Sequence, residues 1–541
     1  MLHPPNIIGE NSRDWRFQTK QPVSQGYNLA TIKIRFDING SKGLCLKILP
    51  ILLLLAVLLP AAFSPVTAAP ASPWQPLADG IDYREFNLPV PNRAYVVRMR
   101  RDRPALTLET GLAQGRLNGG LETVRGIAER YDGALNAWDG EWGGQNQVLA
   151  AVNGAFFDTQ SGVPWSGVVH SGWYAKRFED WQNTSGFAWT LDRQVFIGGC
   201  VQHRPKSQVL RLLATGEEIP FDGLNTPRED HKLIVYTPQY YAFTPASKED
   251  VLEIVVQLER PLLILPDPDY VRGTVTEVLA GNGETLLGFD QVVLSAQGDL
   301  RSRLEKRLKP GDAIGFSQEI RHLTPDCSKP ASASWTKTYA GVAGSYVFLR
   351  DGIIQPIDEL GAVLRNPRTA VAYNDQYIFL IVVDGRDQLR SLGMSMADLA
   401  VFASAMLGAS DGMALDGGGS STMVVGGQVV NHPNAETVVR LKPDLQERDV
   451  ANALLVVASQ PRQGSTRWQA HSQVSIPGPN PVNLRLGPGT NYAVRETLAP
   501  GAQGQVLAHP LNGVLAKGYN WWYVDFNGLT GWVSESELAG P

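Results

Sequence analysis

The stretch NPRTAVAYNDQYIFLIVVDGR, residues 366–386, decides how this chain folds. TAVAY (369–373) and YIFLIVV (377–383) read as strands, and Asn374-Asp375 between them is turn chemistry. Tyr377 to Val383 is almost wholly apolar, which predicts a strand covered on both faces. Asp384 ends it. SMADLAVFASAMLG (395–408) follows, with Met396, Leu399, Ala400, Ala403, Met406 and Leu407 at helical spacing. Ser395 caps this helix, Asp398 stands where a capping box needs it, and Gly408 stops it. GMALD (412–416) is a second short strand, ending at Asp416. If the two strands are parallel neighbours joined by a right-handed crossover, Asp384 and Asp416 project from one sheet edge. That is the edge where such sheets place ligands.

After Asp416 comes GGGSSTMVVGGQVVN (417–431). Three glycines in a row disfavour helix and strand alike, so something else requires them. Two readings fit. Gly417, Gly418 and Gly419 form a cradle whose amides, with the hydroxyls of Ser420 and Ser421, hold a phosphate or sugar beside Asp416. Alternatively they make a tight strand connection. Gly426-Gly427 is an ordinary hairpin turn.

Working outward, AYVVRMR (94–100), ALTLETGLA (105–113) and QVLAAVN (147–153) are strand-like, and LETVRGIAERY (121–131) is a helix. Residues 195–325 alternate short β runs with turn signals and predict antiparallel sheet. The expected class is α+β: a large, mixed, β-sheet-rich domain with helices, then a small all-β barrel. A net charge of -5 over 541 residues, with no basic cluster, argues against nucleic acid as a partner. Eight His and three Cys, without paired CxxC or His at i, i+4, argue against a zinc centre. No nucleotide or redox cofactor motif is present, so no cofactor is expected. A Ca²⁺ among the several Asp residues stays open, without assignable ligands.

LCLKILPILLLLAVLLPAAF (44–63) leads into SPVTAAPASP, the pattern of a secretory signal, with a retained membrane anchor as the competing reading. Residues 1–41 are set aside as an N-terminal extension and 42–71 as the signal, so the mature chain is expected outside the cell or in its envelope. Cys45 precedes the apolar run. Cys200 and Cys327 remain afterwards, with their pairing open. Residues 74–459 form the large domain and 460–475, polar and aperiodic, a linker. Residues 476–539, with VNLRLGPGTNYAV and WWYVDFNGLTGWVSESEL, resemble the bacterial SH3-like domain. That resemblance implies a module for cell-wall peptides or polysaccharide, with Trp521, Trp522 and Trp532 as core or groove aromatics.

NPRTAVAY, VVDGR, LDGGGSSTMVV and ERDVANALLV resemble the phosphodiester glycosidase family in order and spacing. NGAFFD (153–158), LNTPR (224–228), VVLSAQG (292–298) and GVAGSYVFLRDG (341–352) extend the likeness over 74–459. Ala155 stands where that family usually has Gly. The resemblance implies hydrolysis of a sugar-1-phosphodiester at its glycosidic bond, with a phosphodiester-linked glycan as substrate. Such a substrate needs cations for phosphate and carboxylates for the anomeric centre. At matching positions, Asp416 and Asp384 are the expected carboxylate pair. Arg368 and Arg448 are the expected phosphate clamps, each with a structural ion pair as the competing role. Thr369, beside Arg368, is grouped with the substrate-binding residues. Asn153 meets a sugar hydroxyl or orients a carboxylate. Asp158 binds substrate or holds a turn. The reading from another class is an envelope protein that binds glycans without turnover.

Overall fold

The computed structural model describes residues 72–178, 185–199, 201–202, 208–259, 270–316, 321–322, 338–435 and 446–540. The extension, the signal and all three cysteines lie outside them.

The strand Tyr377–Val383 forms as its composition demands and is buried on both faces. Its alternation is clean. Phe379, Ile381 and Val383 pack with Leu399, Ala400 and Ala403 of the helix Met396–Leu407, whereas Ile378, Leu380 and Val382 enter the main core. Each large side chain so buried contributes roughly 1.5–3 kcal/mol. The helix carries the expected caps: Ser395 and Asp398 bond reciprocally, and Gly408 adopts the left-handed conformation.

The strand belongs to an eight-stranded sheet whose order by residue is 75–78, 81–88, 92–100, 377–383, 368–373, 411–414, 347–350 and 353–354. The expectation that 377–383 and 411–414 are parallel neighbours is overturned. Both pair antiparallel with Arg368–Tyr373, which lies between them. They therefore still run the same way, and Asp384 and Asp416 still leave at one edge.

A second sheet joins 428–429, 423–425, 144–153, 452–460 and 106–112. Ala150, Val152, Leu454 and Val456 face the main core, while Ala151, Ala453, Leu455 and Val457 face the helix Val124–Tyr131. The architecture around the core is thus helix, sheet, sheet, helix. That helix is shorter than expected, because Thr123 caps it by accepting from the Gly126 amide. Gly426 and Gly427 both have positive φ (55° and 77°), as a tight hairpin between 423–425 and 428–429 requires.

The middle of the chain forms another eight-stranded sheet built around the long antiparallel pair Ala246–Leu258 and Val271–Gly283. It is antiparallel throughout apart from one parallel contact, 223–224 with 233–236.

The C-terminal module is an antiparallel sheet of order 473–475, 503–506, 519–526, 529–534, 482–485 and 494–498, with 514–516 paired to 519–526. Trp522 sits in its own core, but Trp521 and Trp532 join the main cluster with Leu511, Val514 and Ala516. The Phe289 amide donates to the Leu486 carbonyl (3.0 Å), and the Phe289 ring meets Tyr492 edge-on at 5.4 Å. The polar stretch expected as a linker is laid along the module: Ser465 N donates to Gly513 O (2.7 Å), and 473–475 is a strand of its sheet. Polar composition is no bar to docking when backbone groups find partners.

A chain ending at Gln460 uncovers Trp142 and Phe289. It should melt below the full chain and aggregate, whereas residues 72–541 should unfold in one calorimetric transition.

Candidate functional site

The site lies where the two sheets meet at their ends. Asn153 closes the strand Gly144–Asn153 and is fully buried. Its Nδ2 donates to the Asp416 carbonyl (2.6 Å), and its Oδ1 accepts from Thr369 Oγ1 (2.7 Å) and the Thr422 amide (3.2 Å). The Asp416 amide donates to the Gly154 carbonyl (3.0 Å). Both ends of the glycine loop are thereby tied to the second sheet.

Asp384 is 3 % exposed and saturated with donors. Tyr95 Oη donates to Oδ2 (3.0 Å), and Asn431 Nδ2 (3.0 Å) and the His432 amide (2.9 Å) donate to Oδ1. Arg390 Nε is 3.9 Å and His432 Nδ1 3.6 Å from Oδ2. Burial and the adjacent Asp384 hold the Tyr95 phenol well above its usual range, so it serves as a hydrogen-bond donor. Asn431 also donates to Ser421 O (2.9 Å) and accepts from the Met423 amide (2.7 Å), which locks Asp384 to the glycine loop.

Asp416 is placed differently. Solvent reaches part of it, yet protein groups crowd it on most sides. Desolvation pushes its carboxyl up to about 6, with Ser420, Arg448 and the Gly417 amide pulling the other way. Ser420 faces it without closing a hydrogen bond of good geometry.

Two guanidinium groups stand over the loop between the carboxyls. A Cβ on Gly418, whose φ is +62°, would come within 3.0 Å of Arg386 Nη2, and one on Gly419 within 2.4 Å of Arg448 Nη2. The positive φ of Gly418, and the Ala435 Cα that a Cβ on Gly419 would meet at 2.9 Å, are what hold these positions to glycine. Arg386 donates to Asn366 Oδ1 (3.3 and 3.2 Å), and Arg448 reaches the Ala435 carbonyl (3.4 Å). Burial, then the neighbouring Arg448, depresses the Arg386 pKa, which marks a cationic spot. The side-chain oxygens of Ser420, Ser421 and Thr422 and Nδ2 of Asn452 are buried without a partner. Among the described residues no three His, Cys, Asp or Glu side chains converge to hold a metal.

The phosphodiester glycosidase family model matches residues 270–457, and the bacterial SH3 domain model matches 480–539. This chain carries a phosphodiester glycosidase domain and a C-terminal bacterial SH3 domain. No curated protein matches it. Among solved structures it is similar to a hypothetical protein from Synechocystis (18% identity, TM-score 0.47, covering 72% of this chain and 64% of that one). It is also similar to a candidate exported protein of Burkholderia pseudomallei (20%, 0.44, 68% and 74%). A third is the catalytic domain of zebrafish N-acetylglucosamine-1-phosphodiester alpha-N-acetylglucosaminidase (12%, 0.30, 72% and 87%). The chain thus spans just under two thirds of the Synechocystis protein.

The structure gathers Asp384, Asp416, Thr369, Asn153, Gly417 to Gly419, Ser420, Ser421 and Arg448 into one region. Two expected residues point elsewhere. Arg368 donates from Nε to Met394 O (2.8 Å) and from Nη2 to Gly361 O (2.8 Å) and Leu364 O (2.6 Å). Burial lowers its pKa to about 10. Its fork binds loop carbonyls, neither a carboxylate nor an open space. Asp158 is exposed and accepts from the amides of Gln160 (3.0 Å) and Ser161 (2.7 Å), a turn role. The amide cradle is also mostly closed: the Gly418, Ser420 and Ser421 amides donate to Pro367, Gly417 and Gly418 carbonyls. The cations there are side chains. Tyr95, Arg386 and Asn431 are not among the residues the sequence points to, and His432, a lone histidine in a loop near the expected cleft, reads from sequence as structural. Arg386 follows Asp384 by two residues in VVDGR, which was the available signal; Tyr95 comes from a distant strand and left none.

Arg368→Met should destabilise the chain by about 2–4 kcal/mol in urea, because three carbonyls lose their donor. Arg368→Lys should recover little of it. A phosphate clamp would instead show normal stability and a raised KM.

The Asp416 carboxyl binds its proton more tightly folded than unfolded. The stability this brings is fully present below the ordinary pKa of 3.8 and is lost as pH rises through about 6. Asp416→Asn should therefore stabilise the chain at pH 8 by about 3 kcal/mol while gaining nothing at pH 3.5. Thermal melts at the two pH values check it.

Proposed function

We propose that the chain is a secreted hydrolase that cleaves the glycosidic bond of sugar-1-phosphodiesters, of the GlcNAc-1-phosphate diester type, in envelope or extracellular glycans. What supports this is Asp416, a carboxyl that solvent partly reaches and that desolvation pushes up to about 6, with the Arg448 guanidinium acting on it and Arg386 against Gly418. Arg386 and Arg448 seat the phosphate. Ser420, buried beside Asp416, favours the charged form of that carboxyl. Water adds to the anomeric carbon as its bond to the phosphate oxygen breaks, and the phosphate leaves as a monoester. Asp416 exchanges the proton, since a group with pKa near working pH both gives and takes one. Asp384, its oxygens already occupied, stabilises positive charge and holds Tyr95 and His432 in place. The bacterial SH3 domain supports an envelope setting, where such modules meet wall material.

Purified chain from residue 72 should release sugar from a GlcNAc-1-phosphodiester and leave a plain p-nitrophenyl glycoside untouched. Asp416→Asn should lower kcat by at least about 10²-fold, and Arg448→Met should raise KM. Because Arg448 pulls the Asp416 pKa down, removing it should also move the inflection of the pH–rate profile upward from about 6. Equal turnover of both substrates, or wild-type kcat in Asp416→Asn, would refute the assignment. Glycan affinity without any turnover would favour a non-catalytic binding protein.

A further inference from the structure

An imidazole stands beside the buried carboxylate of the site. The His432 amide donates to Asp384 Oδ1 (2.9 Å), which fixes the backbone there independently of the side chain. In the ring, Nδ1 lies 3.6 Å from Asp384 Oδ2 and 3.4 Å from Tyr95 Oη. The Tyr95 hydroxyl commits its proton to Asp384, so toward His432 it presents a lone pair. A carboxylate and a lone pair both call for a proton on Nδ1. The ring atom left to exchange a proton is Nε2, on the side turned away from Asp384. Solvent reaches a third of the His432 side chain (34 %), whereas Asp384 is enclosed. A buried carboxylate behind one ring nitrogen, with an open side before the other, orients an imidazole for proton transfer.

The segment that carries His432 also borders the guanidinium pair. Asn434 Nδ2 donates to the Gly385 and Arg386 carbonyls (3.4 and 3.5 Å), and the Ala435 carbonyl accepts from Arg448 Nη2 (3.4 Å). Three residues of extended chain span at most about 11 Å, so the imidazole lies near the phosphate seat. Among the described residues, the charged or titratable groups that meet His432 come from three elements. They are Asp384 after strand 377–383, Tyr95 of strand 92–100 and, through the Tyr95 oxygen, Arg390 (3.5 Å).

We propose that His432 is the proton donor to the leaving phosphate oxygen, an assignment that rests on the sugar-1-phosphodiester reading. Water adds to the anomeric carbon and gives a proton to the Asp416 carboxylate. The bond from that carbon to the phosphate oxygen breaks, and its electron pair stays on the oxygen. The Nε2 proton of the imidazolium passes to the same oxygen, and the monoester departs with His432 neutral. Exchange with solvent then resets both groups: Asp416 releases its proton and His432 regains one. Without the donor, the monoester would leave with two negative charges close to Asp384. The two groups work in opposite states, so kcat/KM follows a bell in pH. It rises as Asp416 ionises and falls where an imidazole loses its proton.

The test follows reducing sugar released by the chain from residue 72, over the pH range in which it stays folded. One substrate is an alkyl diester of GlcNAc-1-phosphate, the other its p-nitrophenyl diester. His432→Gln should lower kcat on the alkyl diester about 10²-fold and lose the alkaline limb while keeping the acid one. The loss should be several-fold smaller on the aryl diester, whose phosphate is the more acidic leaving group. In His432→Ala, imidazole added to the buffer should restore part of the rate. Melting temperatures check that both variants fold. An alkaline limb unchanged in His432→Gln, or an equal loss on both diesters with no response to imidazole, would overturn the donor and leave the reaction standing. A wild-type chain inert on both diesters would overturn reaction and donor together.

Discussion

The buried side chain of Asn153 is the constraint on which the site depends. It ends a strand of one sheet and bonds to the Asp416 carbonyl, the Thr369 hydroxyl and the Thr422 amide, which all belong to the strand and loop that end the other. An amide side chain suits this place because it donates and accepts at once. Around it, Gly154 and Asn431 complete the tie, so the glycine loop is held at both ends. A loop with three consecutive glycines would otherwise lose much conformational entropy on ordering. Its geometry comes from the surrounding bonds.

The same framework sets the two carboxyls apart. Asp384 is enclosed and given Tyr95, Asn431 and His432 as donors. Asp416 is desolvated without comparable donors, and its proton affinity rises. Two like residues given unlike surroundings can take unlike roles in proton transfer. The guanidinium groups of Arg386 and Arg448 lie against Gly418 and Gly419.

The docked C-terminal module follows from burial. Trp521 and Trp532 extend the main core, leaving Trp522 to hold the module's own. Aromatic surface of this size is costly to leave in water, so the module becomes part of one folded body. The polar segment before it takes its order from backbone hydrogen bonds to the module.

By itself the sequence determined the buried strand 377–383, the capped helix 396–407, the 426–427 hairpin and the placement of Asp384 and Asp416 at strand ends. These are local matters of period, capping and turn chemistry, written in neighbouring residues. It also singled out Asn153, Arg448 and the glycine loop. Only the tertiary structure decided that 368–373 separates the two carboxyl-bearing strands, that Arg368 serves loop carbonyls while Arg386 faces the loop, and that Tyr95 and His432 gather around Asp384. Which groups meet across hundreds of residues is set by sheet order and core packing. A guanidinium's partner depends on what lies within a few ångströms of it, and no spacing along the chain encodes that.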